Sequence, residues 1–275
     1  MDLRSNKTPD QGLIKTIRSR ENPVYKSLVR LASSARARRE QCAALLEGPH
    51  LIDAFRASGG TVETLVVSES GQAREEVRRL VKETAARSRV SLPDRLFDGI
   101  SQAVTPTGVL AVIQTPAQGA LPERLGTCLL LEGIQDPGNL GSILRTAVAV
   151  GLSHVLLSKG CAFAWSPKVL RAGQGAHFFL SIYEGVALHE VAAGFDGKVV
   201  ATDPHASTSL FDVALGDRVA WIFGAEGGGV SSELATRANL RLRIPMPGPA
   251  ESLNVAAAVA VCLFEQVRQT NHSAL

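Results

Sequence analysis

A chain of 275 residues, 45% hydrophobic and 20% charged, has enough apolar material for one or two packed domains, which excludes a wholly disordered protein. A formal net charge of +3 is too mild to name a partner, and no apolar run approaches ~18 residues, so no membrane-spanning helix is expected. Cys42, Cys128, Cys161 and Cys262 lack C-x-x-C spacing and read as reduced thiols of a cytoplasmic protein, and the first residues lack the apolar core of a signal peptide.

Basic residues gather at the start. Residues 1–39 hold ten Lys or Arg against Asp2, Asp10 and Glu21, which suits a polyanionic partner or a solvated basic helix face. Asn22-Pro23 signals a helix start, followed by Val24, Leu28, Leu31, Ala32 and Ala35 at helical spacing, with Lys26, Arg30, Arg36, Arg38 and Arg39 off that stripe or beyond its end. A short helix over 51–57 stops at Gly59-Gly60, a strand covers 61–67, Val77, Leu80, Val81 and Ala85 mark another helix, and a strand covers 109–113. These make a small α/β domain over residues 1–117.

The Pro- and Gly-rich segment TPAQGALPER, 115–124, reads as a linker, and a second domain is expected over 124–275. There the pattern alternates. Strands are predicted over Cys128–Leu131, 155–157, 199–202, Val219–Phe223 and 240–244, and helices over 140–150, Pro167–Gly173, 188–193, 231–237 and 255–267. Such alternation predicts an α/β fold with a mostly parallel sheet flanked by helices.

Three segments that follow predicted strands concentrate the chemistry, where open α/β sheets place ligands. In LEGIQDPGNLGSILRTA, residues 131–147, a Gly/Asp/Pro/Gly turn leads into a helix; Asn139 can cap that helix or face a substrate, and Arg145 lies six residues on. In WIFGAEGGGVSSEL, residues 221–234, Gly227 to Gly229 let backbone approach a ligand, and Glu226 has little structural reason to be in the turn. No lysine completes a P-loop there. In IPMPGPAESLNVAAAVAVCLFEQV, residues 244–267, Pro245, Pro247 and Pro249 impose an extended path poor in backbone hydrogen bonds, and Ser252 or Asn254 then begins a helix of small residues.

Together the three segments closely resemble the signature motifs of SpoU-type, TrmH-like RNA ribose 2′-O-methyltransferases of the SPOUT class. The resemblance rests on N-x-G-x-x-x-R (Asn139, Gly141, Arg145), F-G-x-E-G-x-G (Phe223 to Gly229) and I-P-M…S-L-N-V (Ile244 to Val255). SRENPVYKSLVRLA (19–32) and LLEGPHLI (45–52) look like the small substrate-binding domain fused to many rRNA-modifying members. The resemblance implies a catalytic domain tied in a deep trefoil knot, a homodimer, and S-adenosylmethionine as cofactor, held by Thr202, Gly224, Glu226, Ile244, Met246 and Leu253. It implies that Asn139, Arg145, Glu226, Ser252 and Asn254 surround the reacting ribose, and that RNA, ribosomal in the first instance, meets the basic N-terminal domain. The alternatives are a tRNA methyltransferase, or a non-catalytic RNA-binding assembly factor on the same scaffold.

The family's proposed base is the motif-one arginine, here Arg145, yet a free guanidinium is effectively always protonated. Arg145 clamping a phosphate and Glu226 accepting the proton are the alternatives. The six histidines show no H-x-x-x-H spacing, so no metal is expected, and Ser252 lacks the G-x-S-x-G elbow of a hydrolase.

Overall fold

A computed structural model describes residues 14–225 and 227–272. The chain divides into two compact units, one running to residue 117 and including 165–167, the other comprising 118–164 and the chain from 168 onward.

The first unit contains β1 (Lys15–Thr16), α1 (Pro23–Ser33), α2 (Ala35–Gln41), β2 (Ala43–Glu47), α3 (Pro49–Ala57), β3 (Val62–Ser68), α4 (Glu75–Glu83), β4 (Ala86–Leu92), α5 (Asp94–Phe97) and β5 (Val109–Gln114). Its sheet has the order β1-β4-β3-β5-β2; β5 runs antiparallel to both its neighbours and the other pairs are parallel. Asn22 caps α1, its Oδ1 accepting from Val24 N–H at 2.9 Å, with Pro23 in the first turn. The buried stripe of α1 is Tyr25, Leu28, Leu31 and Ala32, and Val24 is exposed, so the apolar face is rotated by one residue from the expected one. Ser34 ends α1 and caps α2, which breaks the single long helix that the spacing predicts. Arg38, expected on the surface, is 5% exposed because its guanidinium bonds the carbonyls of Leu31 (2.5 Å) and Ala32 (3.1 Å) left open at the end of α1. Strands β1, β2 and β4 are absent from the sequence-based reading; β4 is ARSRVSL, whose Arg and Ser residues carry no apolar run.

The second unit contains β6 (Cys128–Leu131), α6 (Pro137–Ala149), β7 (His154–Leu157), α7 (Pro167–Gly173), β8 (Ser181–Tyr183), α8 (Leu188–Gly194), β9 (Lys198–Thr202), β10 (Val219–Phe223), α9 (Ser232–Ala235), β11 (Leu240–Leu242) and α10 (Val255–His272). All pairs in its six-stranded sheet are parallel, in the order β11-β9-β10-β6-β7-β8. Every residue of the two central strands, β6 and β10, is buried, as a sheet covered on both faces requires. One face packs Leu130, Leu156, Ala201 and Ile222 against Leu188 and Ala192 of α8 and Leu234 of α9. On the other, Trp221 is fully buried and its Nε1–H donates to Gln266 Oε1 of α10 at 2.7 Å. Strand β11 stops at Leu242, two residues earlier than expected, because Arg243 leaves β9 and pairs with Thr208 and Leu210. Strand β8, three residues beside a 3₁₀ turn, has too short a pattern to be read from sequence. Among the described residues no helix is long and apolar enough to cross a membrane.

Candidate active site

Chain order sets where a ligand can sit. From β6 the chain moves outward through β7 to β8, then returns to the far side of β6 for β9, β10 and β11. Loops therefore diverge beside β6 and β10, and the crevice at the carboxyl ends of such strands is the expected ligand site. The three segments singled out in the sequence follow β6, β10 and β11, and Thr202 ends β9 between the last two. Thr202 is level with Leu242 of β11, and its hydroxyl donates to Ile222 O of β10 at 3.4 Å. Gly224 and Ile244 leave the same edge one and two residues beyond their strands.

The segment after β6 corrects one expectation. Asp136, not Asn139, caps α6: its Oδ1 accepts the Asn139 N–H at 2.7 Å, and Pro137 occupies the first turn. An Asp-Pro pair outranks an asparagine two residues later as a helix start, because the fixed φ of proline already suits the first turn. The Asn139 side chain is thereby released from capping. Its Oδ1 accepts from Asn254 Nδ2 at 2.9 Å, joining residues 115 apart in sequence. Asn254 is itself the cap of α10, its Oδ1 accepting from Ala256 N–H (2.9 Å) and Ala257 N–H (3.4 Å). The capping and site roles of Asn254 thus coincide.

Gly141 of the first motif has a packing task. A Cβ there would lie 2.4 Å from Ala172 Cβ and 2.7 Å from Val169 O, so α6 approaches α7 closely only because the residue is glycine. Gly224 is tighter still: a Cβ would lie 1.9 Å from Gly229 O, where the turn folds back on itself with Gly229 N–H bonded to Ala225 O at 2.8 Å. Glu226 lies outside the described residues.

Sequence reasoning passed over Glu132. Its carboxylate accepts Ser231 N–H and Ser231 Oγ–H, each at 2.7 Å, and so ties the end of β6 to the cap of α9, beyond the glycine turn. A carboxylate on the last residue of an apolar strand run, directly before Gly133, was the available signal.

After β11, none of the backbone groups of residues 244–253 pairs with a described residue. Ile244 and Met246 are half-buried and Leu253 is 39% exposed, so apolar side chains stand beside open donors and acceptors. Ser252 is exposed there with no hydrogen bond to a described residue. Arg145 is exposed on α6 and likewise makes no hydrogen bond or ion pair with a described residue, so of the predicted set the structure bonds Asn139 to Asn254 and leaves Arg145 and Ser252 without a described partner. Burial pushes the Cys128 and Cys262 thiols up to about 12, which removes both as nucleophiles.

Residues 126–264 match the model of the SpoU rRNA Methylase family, and residues 22–111 match that of the MRM3-like substrate binding domain. The chain belongs to the SpoU rRNA methylase family. It is 34% identical to an uncharacterized tRNA/rRNA methyltransferase of Synechocystis, over 93% of this chain and 94% of that protein. It is 31% identical to the 23S rRNA (guanosine(2553)-2′-O)-methyltransferase RlmP of Bacillus subtilis, over 91% of this chain and 98% of the relative. Among solved structures it is similar to the SpoU methyltransferase AviRb from Streptomyces viridochromogenes in complex with the cofactor AdoMet, with a TM-score of 0.82 and 27% identity, covering 91% of this chain and 98% of that one. As a SpoU methylase the chain is an enzyme that methylates RNA, and its second unit has the fold of that family.

Proposed function

We propose that this protein transfers a methyl group from S-adenosylmethionine to a ribose 2′-hydroxyl of large-subunit ribosomal RNA. The carrying observation is the convergence of three broken connections at one sheet edge, with Asn139 and Asn254 bonded across it. Support for the cofactor comes from its presence in the similar AviRb structure and from the donor set here. Backbone along 244–253 that pairs with no described residue, beside Ile244, Met246 and Leu253, suits a nucleoside joined to an amino acid. Thr202, Gly224 and Glu226 complete that wall in this reading. The bound cofactor supplies a methyl group on a cationic sulfur.

The protein's own residues do the rest. Asn139, Ser252 and Asn254 orient the ribose, and such positioning contributes ~7–11 kcal/mol. The Arg145 guanidinium grips a substrate phosphate and stabilises the oxygen as its negative charge develops. Glu226 accepts the hydroxyl proton, a step worth ~10²–10⁴ in rate.

Ribosomal rather than transfer RNA is favoured by the substrate-binding match over 22–111 and by the RlmP relative. In this reading residues 1–117 bind RNA through the basic segment and residues 124–275 catalyse. The trefoil knot that the resemblance of the three motifs implies belongs to the same reading. Phe264, 52% exposed on α10, favours a homodimer, and an RNA substrate favours the cytoplasm.

Calorimetric titration with S-adenosylmethionine, followed by mapping of ribose methylation on large-subunit rRNA and on bulk tRNA, tests the reading. Saturable cofactor uptake and one methylated ribose in rRNA are expected. A chain that takes up no cofactor is a binding factor instead, and methylation confined to tRNA overturns the substrate assignment.

A further inference from the structure

The second unit has a crevice of about 420 Å³ that the methyl-transfer reading leaves unused. It lies at the carboxyl ends of β6, β7 and β8, on the α8/α9 side of the sheet, whereas the residues assigned to the cofactor follow β9, β10 and β11. Its volume falls in the range of sites for one small organic ligand. Leu188, Leu234 and the half-buried Val186 give it an apolar lining.

Its polar walls are held in place. Ser158 Oγ accepts Gly133 N–H at 3.0 Å and donates to Lys159 O at 3.0 Å. Glu132 is occupied by Ser231. His189 and Glu233, 3.7 Å apart, put an imidazole and a carboxylate at the rim, with Glu190 4.0 Å from His189 outside the lining. Lys159 differs: it is exposed and its ammonium has no partner among the described residues. An apolar bed, a donor–acceptor pair at the rim and one uncommitted cation match the three parts of a nucleotide, namely base face, base edge and phosphate.

Two of the crevice's walls also belong to the proposed catalytic site. Glu132 and Gly133 begin the connection that carries Asn139, and Ser231 ends the one that carries Gly224 and Gly229. We infer that this crevice takes the nucleotide flanking the methylated one in the RNA chain, with its base over Leu188 and Leu234 and its phosphate on Lys159. The inference rests on the RNA methyltransferase reading, since it is the continuation of that substrate which fills the crevice.

Two substitutions outside the assigned machinery test it in the full-length enzyme. Ala187→Trp places bulk in the crevice from an exposed position, and Lys159→Glu reverses the cation. Both are expected to keep wild-type S-adenosylmethionine affinity by calorimetry and wild-type melting. KM for transcribed large-subunit rRNA should rise about tenfold or more for Lys159→Glu, the scale of one lost charge-assisted hydrogen bond, with kcat little changed. A photoreactive benzophenone side chain at position 187 should crosslink within one or two nucleotides of the ribose that wild type methylates. Wild-type KM in both variants, or crosslinks only at distant nucleotides, overturns the crevice while leaving the methyltransferase reading intact. If the wild type binds cofactor yet methylates neither rRNA nor bulk tRNA, the reading itself fails and the inference falls with it.

Discussion

Arg145 and Gly224 show two different ways in which one residue can be indispensable. Arg145 is exposed and bonded to no described residue, so nothing in the described fold depends on its guanidinium. Arg145→Ala should therefore leave melting temperature and cofactor affinity at wild-type values and lower kcat by about 10²–10³, the usual effect of deleting one group that stabilises developing charge. Single-turnover methyl transfer to rRNA reads this directly, and wild-type turnover would dismiss the arginine from the chemistry. Gly224 is the reverse case. A side chain there meets backbone on the opposite limb of the turn, 1.9 Å from Gly229 O and 2.3 Å from Val230 N, and backbone cannot rotate away. Gly224→Ala should lose cofactor binding in calorimetry and destabilise by about 1–3 kcal/mol in urea unfolding. Unchanged binding would mean that the turn does not form the cofactor wall.

At the scale of elements, α6 and α10 are coupled where both helices begin. Asn254 uses its carbonyl oxygen to cap α10 and its amide nitrogen to reach Asn139, which Asp136 has released by capping α6. Asn254→Asp separates these tasks. A carboxylate caps as well as an amide and suits the positive end of the helix, so melting should stay near wild type, whereas Asn254→Ala should cost ~1 kcal/mol or more. The aspartate has no N–H to give Asn139, so its kcat should fall while its stability holds. Equal activity in Asn254→Asp and wild type would show that the bond between the two helix starts does not serve catalysis. The Glu132–Ser231 pair is the corresponding tie between β6 and α9, with both carboxylate oxygens engaged.

Stability of the whole molecule should carry a signature of one buried histidine. His177 is 1% exposed; its Nε2 is 2.9 Å from Ala164 O, and its ring occupies the space that a side chain on Gly173 would need. Burial pushes its pKa down to about 4, and the bond to Ala164 opposes this only in part. Between the ordinary value of 6.5 and about 4, the unfolded chain binds a proton that the folded chain refuses. The contribution of the neutral ring is thus fully present above pH ~6.5, declines by at most ~1.4 kcal/mol per unit as pH falls through that window, and is lost near pH 4. Urea unfolding at pH 7 and pH 5 should show a larger drop for wild type than for His177→Gln. Parallel losses in the two proteins would assign the acid sensitivity elsewhere.

Much of the fold was legible because its signals are local. Buried parallel strands such as Cys128–Leu131 and Val219–Phe223 are uninterrupted apolar runs, and Asn22-Pro23 caps α1 as its chemistry predicts. Short or polar elements escaped: β8 has three residues, and four of the seven in β4 are Arg or Ser, so neither offers a period to read. Arg38 is buried against expectation because the break at Ser34 leaves the Leu31 and Ala32 carbonyls for its guanidinium, and Val24 is exposed because the buried stripe of α1 begins one residue later, at Tyr25. For this protein the sequence alone determined the two-part α/β plan, the three broken connections and the family, since spacing and turn chemistry are written residue by residue. Only the tertiary structure decided that Asp136 rather than Asn139 caps α6, that Asn139 bonds Asn254, that Glu132 fastens Ser231, and that a second crevice opens beyond β6. Those outcomes depend on which strands lie side by side, and sheet order is fixed by packing between residues a hundred positions apart.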